Sequence, residues 1–393
     1  MPTLFLIVFV DLVGFGVIIP LLPFYGEHFQ ASPATVGLLM ATYSLAQFVS
    51  APVLGRLSDR IGRKPVLSVS LAGAAASYLL LAFASELWML FAARAIGGLM
   101  AGNISTAFAY VADVTTPANR AKGMGLIGAA FGLGFIFGPA IGGLLAGHDP
   151  ANADFQSPAF AAFALSALAL VMCLTVLKES LTAEVRARHT GATTSRWQWL
   201  QRALADPGIR AILAMSFLAT FVFAGMETTF AMWSRRQFGW GPEQNGYLFA
   251  FVGALTALIQ GGLVGRLARA FGERRLVAAG SALLAAGMLL IAFSASLWLL
   301  LVAMAGVAAG FSMLTPALNS LLSLQTGAGS QGGMMGLARS ATTMARILGP
   351  GFAGAVFAVL GKDWPFYAGA AIMVVVMLMA MRSPAAAPAK AES

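Results

Sequence analysis

Asp11 stands alone in the run Leu4-Phe5-Leu6-Ile7-Val8-Phe9-Val10-Asp11-Leu12-Val13-Gly14-Phe15. A carboxyl removed from water holds a proton more readily than one in solution, which is the property a proton carrier requires. Arg94, in Phe91-Ala92-Ala93-Arg94-Ala95-Ile96-Gly97-Gly98, is a counterpart of opposite sign. A guanidinium does not usefully deprotonate, so it acts as a fixed charge; a change in its distance from a carboxyl loads or releases a proton. Glu227, in Gly225-Met226-Glu227-Thr228-Thr229, is the other carboxyl well inside an apolar run. It reads as a second proton site or as a contact for a cationic ligand. Arg339 and Arg346 lie seven residues apart and so share one face of a helix.

A different chemistry is concentrated in Gly55-Arg56-Leu57-Ser58-Asp59-Arg60-Ile61-Gly62-Arg63-Lys64-Pro65. Gly55 and Gly62 permit tight backbone geometry at helix ends. Asp59 can accept from Arg63 or cap a neighbouring helix end, and Pro65 suits the first turn of the next helix. Gly55, Asp59, Arg60, Gly62 and Arg63 therefore read as a gate that locks the cytoplasmic side. A degraded copy, Gly265-Arg266-Leu267-Ala268-Arg269-Ala270-Phe271-Gly272-Glu273-Arg274, returns 210 residues later. Arg269 replaces Asp59 and Glu273 replaces Arg63, so the charges are inverted and the two loops are placed to attract. Arg339 is expected to reach Asp59.

These groups need elements to hold them. With 59% hydrophobic and 10% charged residues and a mean hydropathy of +0.82, the chain is no water-soluble globular domain. Apolar runs fall at roughly 3–24, 35–55, 66–84, 88–110, 123–146, 158–177, 208–233, 243–264, 276–295, 297–322, 333–358 and 365–381. Each is long enough to cross a hydrocarbon core of about 30 Å as a helix. They are continuous rather than alternating, which argues against a β-barrel. The expected fold is an all-α membrane protein with 12 transmembrane helices in two pseudo-symmetric six-helix bundles. Residues 1–177 and 208–382 form the bundles, 178–207 a cytoplasmic linker and 383–393 a disordered tail.

The net charge of +9 invites a nucleic-acid reading, but its distribution excludes one. With a cytoplasmic N-terminus, the only Lys and Arg outside the cytoplasmic loops, linker and tail are Arg235, Arg236 and Lys362 on the far side and Arg94, Arg339 and Arg346 within helices. That skew sets topology and places both termini in the cytoplasm. Arg196-Trp197-Gln198-Trp199-Leu200-Gln201-Arg202 suits a short interfacial helix. The lone Cys173 excludes an intramolecular disulfide and a thiolate metal cluster and reads as a small buried hydrophobe. His28, His148 and His189 are far apart, no phosphate loop is present, and no metal or organic cofactor is implied. The chain does not read as an enzyme.

Further anchors repeat between the halves. Ala82-Phe83 and Leu87-Trp88 match Ala292-Phe293 and Leu297-Trp298, and Gly138-Pro139 matches Gly349-Pro350. Helix 5 carries glycines at four-residue spacing, with Gly134, Gly138 and Gly142 beside Pro139 and Gly143. Such smooth faces let backbones approach closely and offer a seam on which bundles rock. Parallel repeats with intramembrane Asp and Arg point to an alternating-access carrier.

At these residues the chain resembles the major facilitator superfamily, and within it the twelve-helix drug–proton antiporter branch. The resemblance rests on the Gly55–Pro65 turn, on Gly134-Phe135-Ile136-Phe137-Gly138-Pro139-Ala140-Ile141-Gly142-Gly143, and on Asp11-Leu12-Val13-Gly14-Phe15-Gly16 with Pro20 and Pro23. It is most similar to the tetracycline efflux proteins, through Phe238-Gly239-Trp240 and Pro316-Ala317-Leu318 as well. It implies a bacterial inner-membrane exporter that exchanges an amphipathic drug-like molecule for protons, working as a monomer. It also places Arg94 in that superfamily's intramembrane-arginine motif. Where tetracycline exporters carry ionisable groups in helices 3, 8 and 9, this chain has Ser77, Thr256 and the apolar surroundings of Leu283. Polar and aromatic candidates for the substrate site are Tyr43, Gln47, Asn103, Phe131, Phe221, Tyr247, Gln260 and Asn319. A proton-coupled uptake symporter for a small metabolite is the alternative on the same fold.

Overall fold

The computed structural model describes residues 2–181, 196–326 and 330–382. Among them, twelve helical segments are long and apolar enough to cross a bilayer. They are α1 (Pro2–His28), α2 (Pro33–Ile61), α3 (Arg63–Ala82), α4 (Leu87–Val114), α5 (Lys122–Ala146), α6 (Gln156–Thr175), α7 (Pro207–Phe238), α8 (Pro242–Phe271), α9 (Glu273–Ala292), α10 (Leu297–Gln325), α11 (Gln331–Leu360) and α12 (Trp364–Arg382). Each coincides with one of the expected runs, because a segment crossing hydrocarbon must satisfy its own backbone. A short helix, Arg196–Ala205, stands where the interfacial helix was expected. The middle of the expected linker, 182–195, and the expected tail, 383–393, lie outside the described residues.

The duplication extends to the backbone. α3 and α9 begin 210 residues apart and end 210 residues apart. The glycines that precede them, Gly62 (φ +114°) and Gly272 (φ +79°), both adopt the left-handed region that a Cβ disfavours.

Backbone contacts divide the chain into two compact units, Met1–Gly191 with Phe230–Ala254, and Ala192–Thr229 with Leu255–Ser393. The end of α7 and the start of α8 therefore pack with the first bundle rather than the second. Small residues explain this. A side chain at Gly143 would meet the backbone of Pro242, Glu243 and Gly246, and one at Gly253 would meet Phe135. Glu27 of α1 adds two ion pairs there, with Arg235 and Arg236 at 3.0 Å each.

Within the first unit α1 lies along α5. A Cβ on Gly138 would come within 2.6 Å of Gly16, and Gly134 and Gly142 sit as closely against Leu12 and Val17. The helix-5 glycines thus line two different faces: Gly134, Gly138 and Gly142 meet α1, and Gly143 meets α8. Pro139 lies inside one unbroken helix. One apolar core layer holds Val17, Leu22, Phe24, Leu39, Tyr78 and Leu90. The other holds Leu4, Ile7, Leu67, Leu71, Val111 and Cys173.

Three helices depart from regularity at positions the sequence marks with Pro or Gly. α1 passes through a tight turn at Ile19–Leu21 around Pro20. α4 is interrupted between Leu99 and Asn103, at Met100-Ala101-Gly102. α8 widens at Ile259–Leu263, around Gly261 and Gly262.

Candidate functional site

The interruption of α4 has a chemical consequence. It makes Asn103 the first residue of a new helical stretch, Asn103–Val114, and sets that residue against Asp11. Asp11 is 4% exposed. Asn103 Nδ2 donates to one of its carboxylate oxygens and Ser166 Oγ of α6 donates to the other at 3.1 Å. The start of a helix carries partial positive charge, which favours a carboxylate beside it. Arg94, buried on the preceding stretch of α4, lies over the ring of Tyr43, 4.3 Å from its centroid. Tyr43 in turn packs on Phe15, with ring centroids 5.3 Å apart. The hydrogen bonds to Asp11 thus come from Asn103 and Ser166, while Arg94 is held on an aromatic face. Two proton-accepting oxygens and a fixed cation are gathered by α1, α2, α4 and α6.

The Gly55–Pro65 turn forms a second polar centre. Arg63 is 2% exposed although it opens α3. It donates from Nε to Asp113 at 2.8 Å and from Nη1 to Ser58 at 2.9 Å and to Asp59 at 2.5 Å. Asp113 closes α4 and is as buried as Arg63, with 2% side-chain exposure, whereas the Asp59 side chain is 55% exposed. A buried charge needs such a set of partners, because a lone ion out of water is costly. Arg60 is exposed.

Glu179, just beyond α6, completes the turn. Its Oε1 accepts the backbone N–H of Arg63 at 2.8 Å, and its Oε2 that of Lys64 at 3.0 Å. It also takes the N–H groups of Ser180 and Leu181, both at 2.9 Å. Burial raises its pKa, but the N–H donors of Leu181, Arg63, Lys64 and Ser180 outweigh that and hold the carboxyl below its usual range. Gly62 makes room for it: a Cβ there would overlap the Glu179 carboxylate.

In the second unit the corresponding positions do something else. Glu273 accepts from Ser320 Oγ at 3.1 Å. Arg274 donates to the Ala380 carbonyl at 2.7 Å and to that of Met381, at the end of α12. Arg269 is exposed. Deeper in the same unit Glu227 pairs with Arg346 at 3.7 Å.

This arrangement of helices recurs in known proteins. The Major Facilitator Superfamily model matches residues 4–269 and 261–393. The chain belongs to the major facilitator superfamily. It is 33% identical to the class C tetracycline resistance protein of Escherichia coli, over 93% of this chain and 92% of that one. It is 31% identical to multidrug resistance protein 2 of Bacillus subtilis (strain 168), over 94% of this chain and 91% of that one. Among solved structures it is similar to the human organic anion transporter MFSD10, with a TM-score of 0.73 at 28% identity, covering 96% of this chain and 98% of that one. A bacterial homologue of the human lysosomal transporter Spinster shares the fold, with a TM-score of 0.81 at 15% identity and coverage of 97% and 96%. As a superfamily member the chain is a multi-pass transporter and not an enzyme.

The expected substrate residues of this superfamily member divide between the two units. In the first unit, Gln47 donates to the Ala101 carbonyl at 3.5 Å and Phe131 packs on an apolar core. Tyr247 is exposed and donates to Glu243 at 3.3 Å. In the second unit Gln260 and Asn319 are exposed, and Phe221 packs on Phe352 with ring centroids 5.3 Å apart. Asn103 and Tyr43 serve the Asp11–Arg94 centre.

Ser166, Asp113, Glu179 and the Glu27–Arg235–Arg236 cluster were missed by sequence reasoning. Asp113 and Glu179 each close an apolar run, as Asp59 does, and acids at run ends opposite Arg63 were the available signal. Ser166 has no such signal, since a serine in an apolar helix is ordinary.

Proposed function

We propose that the chain is a proton-coupled exporter of amphipathic, drug-like small molecules that works by alternating access in the bacterial inner membrane, with both termini cytoplasmic. The observation that carries this reading is Asp11, a buried intramembrane carboxyl held by Asn103 and Ser166. Its partners are donors that favour the ionised form, and the apolar layer around it favours the protonated one. A modest rearrangement of α4 shifts that balance, because the same helix carries Asn103 and Arg94. The proton is the coupling ion, and no other cofactor is invoked. Each charge crossing about 100 mV supplies about 2.3 kcal/mol, enough for about a 50-fold substrate gradient. The Arg63 network closes the cytoplasmic turn in one state and releases it in the other.

The resistance-protein relatives support outward movement. Ser77, Thr256 and Leu283, where tetracycline exporters carry ionisable groups, support a substrate other than tetracycline. The direction is tested with inverted membrane vesicles energised acid-inside and offered radiolabelled tetracycline, a cationic dye, a quinolone and an aryl sulfonate. An exporter accumulates one of these in the lumen and releases it when the gradient is collapsed. Loss from preloaded vesicles on energisation identifies an uptake symporter instead.

A further inference from the structure

The second unit contains an intramembrane charge cluster that proton transfer at Asp11 does not use. Arg346 lies midway along the 30-residue helix Gln331–Leu360. Its side chain is 42% exposed, against 11% for Glu227, its partner at 3.7 Å. A guanidinium at that depth cannot face hydrocarbon, so its open edge faces water. An arginine has five N–H donors in a fixed fork, and one pair longer than a hydrogen bond leaves most of them for another acceptor. Arg339 lies two turns earlier on the same face and is also exposed. Two cations and one carboxylate carry one net positive charge.

An apolar platform lies beside this charge. Phe223 is one helical turn before Glu227 on the same face of α7, and its ring stacks on Phe311 of α10, with centroids 3.9 Å apart and planes 12° apart. Close helix packing fixes the geometry: a Cβ on Gly349 would overlap the Phe221 carbonyl, and one on Gly225 would come within 3.0 Å of the Ala353 Cβ. α7 and α11 therefore touch backbone to backbone, which sets Glu227 opposite Arg346.

We propose that Arg346, oriented by Glu227 and supplemented by Arg339, is the head-group site for a monovalent amphipathic organic anion whose aromatic body rests near Phe223 and Phe311. The inference rests on the transporter reading above and names the substrate class. A carboxylate or sulfonate takes the open edge of the guanidinium bidentately and brings the cluster to neutrality. A cation at the same place would raise the net charge to two and be repelled by both guanidinium groups.

Three ligands sharing one ring separate charge from shape: 2-naphthalenesulfonate, the neutral 2-naphthalenesulfonamide and 2-naphthyltrimethylammonium. Binding to the full-length purified protein is measured by calorimetry, and exchange in proteoliposomes by counterflow. The sulfonate is expected to bind at least tenfold more tightly than either of the others. Arg346→Gln is expected to lose tenfold or more for the sulfonate alone, with Arg346→Lys recovering part of the loss. Glu227→Gln is expected to tighten sulfonate binding, a gain that misfolding cannot imitate. Equal or tighter binding of the cation, no binding of the sulfonate, or sulfonate affinity unchanged in Arg346→Gln overturns the assignment. If the cation drives proton movement while the sulfonate does not, the anion assignment fails and the exporter reading stands. If the sulfonate binds through Arg346 but exchanges with no proton movement, the reverse holds.

Discussion

The two copies of the charged turn share a backbone and differ in chemistry. Both end on a left-handed glycine, Gly62 and Gly272, and both lead into helices of matching extent. In the first copy Arg63 is drawn inside and holds Asp113, Ser58 and Asp59, while Glu179 caps the new helix. In the second copy Glu273 occupies the Arg63 position and takes a single hydroxyl, that of Ser320. The adjacent Arg274 caps the carbonyls that end α12. Duplication thus preserves the turn but not the network: one arginine carries the buried chemistry, and its replacement by glutamate turns the same bend into a surface clamp.

The largest difference should appear at the aligned side chains. Arg63→Gln leaves Asp113 buried without its cation and should cost about 3–5 kcal/mol, read as a fall in the thermal unfolding midpoint in detergent. Glu273→Gln removes one surface contact and should cost less than about 0.5 kcal/mol. Equal losses would show that the two turns are equivalent after all.

The glycines give a smaller contrast. Gly272→Ala meets open space, so only the backbone conformation is penalised, by about 1 kcal/mol. Gly62→Ala carries the same penalty and also displaces the Glu179 carboxylate, for a total of about 2–3 kcal/mol. Comparable unfolding midpoints for the two variants would contradict the proposed fit of Glu179 against Gly62.

The smallest effect depends on pH. Because Glu179 is held below its usual range, it stabilises the fold above its unfolded pKa, and that stabilisation is lost as the pH falls through the lower folded value. Glu179→Gln should therefore be less stable than the parent by about 0.3–1 kcal/mol at pH 7. The gap should shrink once the pH drops below 4.5. A gap that persists unchanged in acid would mean that packing, not charge, is what Glu179 contributes.

Much of the fold was legible because the bilayer imposes it. Hydropathy located all twelve spans, and the repeat of Gly55–Pro65 at 210 residues announced the duplication. Asp11 was legible for the same reason, since a carboxyl in an apolar helix is expensive wherever it points. Its partners were less so. The sequence reading set Arg94 beside Asp11 but did not name two donors to that carboxyl as a pair: Asn103, brought round by the break at Gly102, and Ser166, on a helix 155 residues away. Hydropathy does not report which face of a helix a serine occupies. Nor does it divide bundles: Phe230–Ala254 packs with the first unit because of glycine contacts that only three-dimensional proximity shows. The substrate residues were least legible, since tyrosines, glutamines and phenylalanines suit cavity, core and surface alike.

The most direct measurement is proton flux in proteoliposomes that carry an imposed pH gradient, triggered by a transported substrate, for the parent protein and for Asp11→Asn. If Asp11 carries the coupling proton, substrate addition collapses the gradient with the parent and leaves it intact with the variant, which still binds and exchanges substrate in counterflow. Full substrate-driven proton movement with Asp11→Asn would contradict that role.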